Sequence, residues 1–160
     1  VNARFRNTRV IGVEPMPWRR DRALQMGAEA VFAPDEPDLL EKIRAASGGG
    51  VTCAVECSGR LSSQRLCIDA VRRRGRAAFV GEAADDLVIR VSPDLLRKGL
   101  TIVGSWLYNL GDYPKVMQVI QQSPLIDLLV SHVLPMSQIQ AGFELLAAGQ
   151  SAKVVVHPWR

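Results

Sequence analysis

Between Arg9 and Gly81 short apolar runs alternate with longer segments of helical period, and this rhythm restricts the fold more than any other feature. In RVIGVEP (9–15), Val10, Ile11 and Val13 have the near-continuous apolar character of a buried parallel strand. A helix is expected from Pro17, which suits a first turn, to Gly27, which suits an end. It should turn Arg19, Arg20, Asp21 and Arg22 outward and Leu24 and Met26 inward. A short strand follows at Ala30–Ala33. Pro37 opens a second helix with Leu39, Ile43 and Ala46 on one face, stopped by Ser47 and Gly48–Gly50. A strand at Thr52–Glu56, a helix over Ser62–Arg73 ended by Gly75, and a strand at Arg76–Val80 complete the run. Leu66 and Ala70 share a face of that helix. The order β-α-β-α-β-α-β with tight connections predicts an α/β fold with a doubly wound parallel sheet.

After Gly81 the rhythm changes. An extended piece is expected at Leu87–Val91, then a short helix with Ser92 as N-cap, Pro93 at its first position and Gly99 at its end. Leu100–Gly104 reads as a strand, and a helix from Pro114 to Gln122 brings Val116, Val119 and Ile120 together. Val130–Leu134 reads as extended. Ser137 and Gln140 form a capping box ahead of Ile139, Phe143 and Leu146; Gly149 ends that helix, and Lys153–His157 is the last strand.

No apolar run reaches membrane-spanning length and no secretory signal is visible, so neither a membrane partner nor secretion is expected. Cys53 and Cys57, on one face of a strand, would lie ~13 Å apart. That is too far for a disulfide, so they and Cys67 read as buried small residues in a reducing, cytoplasmic compartment. The net charge is +4, but the arginines are spread along the chain. Their one run, Arg72–Arg74, falls at an expected helix end, where cations suit the dipole. No nucleic-acid partner is expected on this reading.

Glu14 closes the first strand. In open α/β sheets ligands bind beyond the carboxyl ends of strands, and an acid there can accept both hydroxyls of an adenosine ribose. The motifs that follow make the assignment more specific. RVIGVEP (9–15), LQMGAEAVF (24–32), VECSG (55–59), RRRGRAAFVGE (72–82), KGLTIVGSW (98–106) and HVLPMSQIQAGFELLAAGQSAKVVV (132–156), in this order, resemble the medium-chain dehydrogenase/reductase family. They are most similar to its zinc-dependent alcohol, polyol and threonine dehydrogenase branch, over about residues 9–157.

The resemblance implies a Rossmann-like fold and a set of cofactor roles. Glu14 matches the acid on the adenosine ribose and favours NAD over NADP, whose 2′-phosphate it would repel. Arg19 matches a basic residue flanking that ribose. Cys57 and Ser58 match the turn that touches the cofactor, and Arg60 a position beside the adenine. Val80 and Gly81 match the strand end beside the nicotinamide. Ile102 and Val103 match the backbone that fixes the carboxamide, and Lys153 a residue reaching the pyrophosphate.

The resemblance also implies what this stretch lacks. The family's first nucleotide-binding strand and glycine-rich turn should precede residue 9, yet no G-x-G-x-x-G occurs and residues 1–8 are too few to supply them. Gly48–Gly50 follows a helix and precedes a strand, the wrong order for a phosphate loop. The expected division is a lead at 1–8, an incomplete dinucleotide-binding domain at 9–106, and at 107–160 helices and a strand that in the family return to the catalytic domain. Zinc is expected only in that missing domain; His132 and His157 are too isolated to hold a metal, and no catalytic residue is assigned. The absent strand is the central one, between strands 9–14 and 52–56. Either those two close up, or residues 1–8 fill the place, or another chain inserts there. A homo-oligomer is therefore expected, through that slot or, as the resemblance implies, through the 100–105 strand edge by which the family joins two sheets.

Three functions compete. The first is the nucleotide-binding portion of an NAD-dependent zinc-type dehydrogenase, incomplete as a catalyst alone, whether a cleavage product, a cut-down version or a split gene. The second is a non-enzymatic oligomerising or binding module descended from one. The third is a methyltransferase, which also places an acid after its second strand but fits VECSG and AAFVGE less well. A zinc-free reductase of the same family is a closer rival. The substrate is not legible; Trp106, Tyr108 and Tyr113 read as packing or as a substrate or subunit contact.

Overall fold

The structure, a computed structural model, describes residues 8–159. Its chain divides into two compact units, one formed by the described residues up to Asp35 with those from Tyr113, the other by Glu36–Asp112. Every strand pair is parallel, as the alternation requires.

In the first unit, β1 (Ile11–Val13) pairs with β2 (Ala30–Phe32) across α1 (Pro17–Gln25). The later residues add α4 (Tyr113–Gln122), β6 (Val130–Pro135), α5 (Ile139–Ala147) and β7 (Lys153–His157), with β6 paired to β7. Residues far apart in sequence are tied through α1. Trp18 Nε1 donates to the Gly149 carbonyl at 3.2 Å, and Arg19 Nη2 donates to the Ser151 carbonyl. Arg19 and Arg22 lie over the Trp18 ring, 5.2 and 5.7 Å from its centroid, a cation–π arrangement.

The expected facing of α1 is therefore corrected. Leu24 is exposed, whereas Arg19, Arg20 and Arg22 are half-buried. Arg19 and Arg20 turn inward onto backbone carbonyls: Arg19 serves Ser151 O, and Arg20 Nη1 serves Glu14 O at 2.9 Å and Pro15 O at 2.8 Å. The capping box at Ser137 does not form either. Met136–Gln138 is a 3-10 turn and α5 starts at Ile139, so the Ser137 hydroxyl misses the cap position. Gln140 reaches forward to Glu144 at 3.2 Å instead.

The second unit has α2 (Leu39–Ser47), β3 (Val51–Glu56), α3 (Leu61–Ala70), β4 (Val71–Phe79) and β5 (Thr101–Gly104), the strands in the order β3-β4-β5. Gly48, Gly49 and Gly50 all take positive φ and stop α2. Ile43 of α2, Ile68 of α3, Val71 and Ala77 form the core. Val55, Ala78 and Val103 stand in one register row on the other face, where Val55 is 58% and Val103 48% exposed. Cys53 is exposed in the adjoining row and Cys57 just beyond β3, correcting the expectation that both are buried. Cys67 is half-buried, and burial pushes its thiol up to about 11.

Three further corrections concern this unit. Residues 87–90 form no strand. The helix expected at Pro93–Gly99 is a six-residue π-helix at Val91–Leu96, and Ser92 does not cap it. Asp94, inside that turn, accepts from Arg65 Nη1 and from the Arg90 backbone N–H, both at 2.8 Å. These bonds hold its carboxyl well below the usual carboxylate range. Third, α3 ends at Ala70, so Arg72–Arg74 lie outside it. The cation at its C-terminus is Lys98, whose Nζ donates to the carbonyls of Ile68, Asp69 and Val71 at 2.7–3.1 Å. Burial lowers the Lys98 pKa.

Among the described residues β1 pairs with β2 alone and β3 with β4 alone. Filling of the slot by residues 1–8 concerns a segment that, but for Thr8, lies outside the described residues.

Candidate functional site

Each unit presents an acid at the carboxyl end of its first strand, and both acids do the same local work. β1 stops because Pro15 follows Glu14 and cannot continue a ladder. Glu14 Oε1 accepts the Met16 N–H at 2.9 Å, so the carboxylate caps the entry to α1. Arg19 Nη1 stands 3.9 Å from that oxygen. Side chains of Glu14 and Arg19 are both about two-thirds buried, at 27% and 32% exposed. Oε2 of Glu14 has no hydrogen-bond partner among the described residues, which leaves one carboxylate oxygen able to accept from a ligand hydroxyl. Lys153, exposed at the start of β7, belongs to the same unit.

In the second unit the site is built around Glu56, which the sequence reading passed over. It ends β3 and is only 2% exposed. Its Oε1 accepts the Ser58 N–H at 2.7 Å, the Ser58 hydroxyl at 2.5 Å and the Gly59 N–H at 3.1 Å. Oε2 shares the Gly59 N–H at 3.1 Å, and the Glu56 carbonyl accepts from Val80 N at 2.8 Å and Gly81 N at 3.1 Å. One residue therefore ties the turn after β3 to the turn after β4. The signal was present as an acid followed by Cys-Ser-Gly: a strand-end carboxylate and a turn rich in N–H donors.

The structure thus brings Cys57, Ser58, Val80 and Gly81 together at one end of the β3-β4-β5 sheet. Arg60 is exposed at the N-cap of α3, its N–H bonded to Ser58 Oγ at 3.3 Å. Ile102 and Val103 lie within β5 on opposite faces, Ile102 half-buried and Val103 exposed. Crowding is extreme where the turns meet. A Cβ on Gly59, which has φ +71°, would stand 1.9 Å from the Glu82 carbonyl oxygen, and one on Gly81 would stand 2.2 Å from Gly59 N.

The donors present do not suit zinc. Among the described residues no group of three or more His, Cys, Asp or Glu is placed to hold a metal ion. His132 lies within β6 with Nδ1 2.9 Å from Ser131 Oγ, and His157 ends β7. Among the described residues no helix is long and apolar enough to cross a membrane.

Parallel strands joined by helices, with acids at the strand ends, define a Rossmann-like α/β fold. Comparison with known proteins narrows the class. Residues 2–122, well over half of the chain, match the profile of the zinc-binding dehydrogenases. L-threonine 3-dehydrogenase of Caldanaerobacter subterraneus subsp. tengcongensis is 27% identical, over 93% of this chain and 44% of its own length. A solved alcohol dehydrogenase zinc-binding domain protein from Burkholderia ambifaria is 30% identical, with a TM-score of 0.81 over 94% of this chain and 42% of that one. The 2R,3R-butanediol dehydrogenase of Bacillus subtilis superposes with a TM-score of 0.84 at 26% identity, over 94% and 44% of the two chains. The chain belongs to the zinc-binding dehydrogenase family and spans less than half the length of these relatives.

Proposed function

We propose that this chain is the nucleotide-binding portion of an NAD-dependent dehydrogenase of that family, with residues 9–106 as its dinucleotide-binding part. The observation that carries the reading is Glu14: a half-buried strand-end carboxylate with one oxygen lacking a hydrogen-bond partner among the described residues and with Arg19 beside it. That oxygen accepts from the ribose diol and disfavours a 2′-phosphate. Cys57, Ser58, Arg60, Val80, Gly81, Ile102, Val103 and Lys153 are the further cofactor contacts in this reading. NAD when bound supplies the hydride chemistry; these residues bind and orient it. The zinc ligands and the alcohol substrate belong to the share of the relatives that this chain does not span, so alone it oxidises no alcohol. The reading places it in the cytoplasm, where three free thiols stay reduced.

Calorimetric titration with NAD tests the proposal. The parent chain should bind with a roughly millimolar Kd, since one pyrophosphate cradle is not among its motifs, and Glu14→Ala should weaken binding at least ~10-fold. Identical isotherms from the two proteins, with equal circular dichroism, would overturn it.

A second reading, an oligomerising module, draws on the exposed Val55–Ala78–Val103 row and on β5, which among the described residues pairs only with β4. Under it, sedimentation at rising concentration should show a dimer or larger species; a compact monomer throughout removes this reading.

A further inference from the structure

Arg72, Arg73 and Arg74 occupy a place in the fold that their expected role at a helix end does not explain. Val51 pairs with Val71 and Cys53 with Arg76, so β4 advances five residues while β3 advances two. The three surplus residues are the three arginines, looped out of the ladder as an excursion from β4. Arg74 is held in the left-handed region at φ 59°, a conformation that costs a non-glycine residue free energy, and its N–H is bonded to the Lys98 carbonyl at 2.7 Å. Gly75 closes the excursion so tightly that a Cβ there would stand 2.3 Å from Val71 Cγ1.

The excursion concentrates charge. Arg72, Arg73 and Arg74 are all exposed, as are Arg76 on β4 and Arg97, next to the Lys98 whose carbonyl binds Arg74. None of these five guanidiniums pairs with an acid among the described residues. Several acids of this unit are engaged elsewhere: Asp69 and Asp94 by Arg65, Asp94 also by Arg90, Glu41 by Arg44, Glu36 by Lys42. Lys98 has its ammonium turned onto α3, so the exposed cations here are arginines alone. The strands are parallel, so this cluster lies at their amino end, ~17 Å along β3 from the Glu56 turn. It is a different surface from the turns around Glu56 and Gly81.

We propose that this arginine cluster binds the phosphodiester backbone of double-stranded nucleic acid without reading its sequence. The planar fork of a guanidinium matches a phosphate in two hydrogen bonds, and consecutive unpaired forks on an exposed loop suit a row of phosphates. Single-strand binding would call for aromatic stacking platforms, and residues 71–76 contain none. Insertion into a lipid surface would call for apolar side chains at the loop tip, which is all arginine. The expectation of no nucleic-acid partner rested on the spread of the arginines along the chain and on placing Arg72–Arg74 at a helix end; Lys98 takes that helix end instead.

The test is fluorescence anisotropy with a labelled DNA duplex of about 20 base pairs at about 50 and 200 mM salt, with affinity falling on the order of 100-fold between them for four phosphates neutralised. Arg72→Ser/Arg73→Ser/Arg74→Ser should lose at least ~10-fold at the lower salt, with an unchanged urea midpoint. The triple Arg→Lys variant, which keeps charge without the fork, should fall between. Should the triple serine variant fold poorly, Arg76→Ser/Arg97→Ser, outside the excursion, reads the same surface and should also weaken binding. Absence of saturable duplex binding at the lower salt would overturn the proposal. So would parent-like affinity in both serine variants, or tighter arginine-dependent binding to phosphatidylserine vesicles or polyglutamate than to the duplex.

Discussion

A Gly81→Ala chain is expected to lose about 3 kcal/mol or more of its unfolding free energy. The crowding is by backbone and by one hydrogen-bonded carboxylate oxygen. The new methyl would stand 2.2 Å from Gly59 N, 2.8 Å from the Cys57 carbonyl carbon and 2.8 Å from Glu56 Oε2. A flexible side-chain tip could swing aside; these atoms are held by the hydrogen bonds that join the turns after β3 and β4. Relief requires the turns to separate, which would break the bond from Gly81 N to the Glu56 carbonyl. Urea denaturation followed by circular dichroism measures the effect. A change below ~1 kcal/mol would show that the turns part freely and that their close approach is not structural.

Glu56→Ala is expected to cost about 3 kcal/mol, and Glu56→Gln roughly half of that. Removing the carboxylate strands the Ser58 N–H, the Ser58 hydroxyl and the Gly59 N–H together, at a residue only 2% exposed. Glutamine keeps one acceptor oxygen but forfeits the charge that strengthens every bond. Because Ser58 contributes two of the donors, Ser58→Ala and Glu56→Gln should not add: the double variant should be less destabilised than the sum of the singles. Additive costs would mean that the Ser58 hydroxyl finds another acceptor and that Glu56 does not organise the turn.

The strands and most helices were legible because they follow from short-range rules. β-branched runs, proline at Pro17 and positive-φ glycines at Gly27, Gly48 and Gly149 mark starts and stops without reference to the rest of the chain. What escaped was chosen by distant partners. Arg72–Arg74 read as a helix end until Lys98, 28 residues beyond Ala70, proved to fill that role. Leu24 faces solvent while the carbonyls of Glu14, Pro15 and Ser151 draw Arg19 and Arg20 of α1 inward. A correct capping-box pattern at Ser137 failed for a local reason: a 3-10 turn displaced the helix start. Glu56 was visible as a strand-end acid, but its burial depends on Gly81, which arrives 25 residues later.

Trp18 has an optical consequence. The other two indoles, Trp106 and Trp159, are 69% and 91% exposed, whereas Trp18 is half-buried, flanked by guanidiniums and bonded through its ring nitrogen to a carbonyl 131 residues away. A neutral quencher reaches the open pair first, so the emission that survives it comes mainly from one ring. The colour and lifetime of that residual light gauge whether the early helix and the late loop remain joined, without a label and in any buffer.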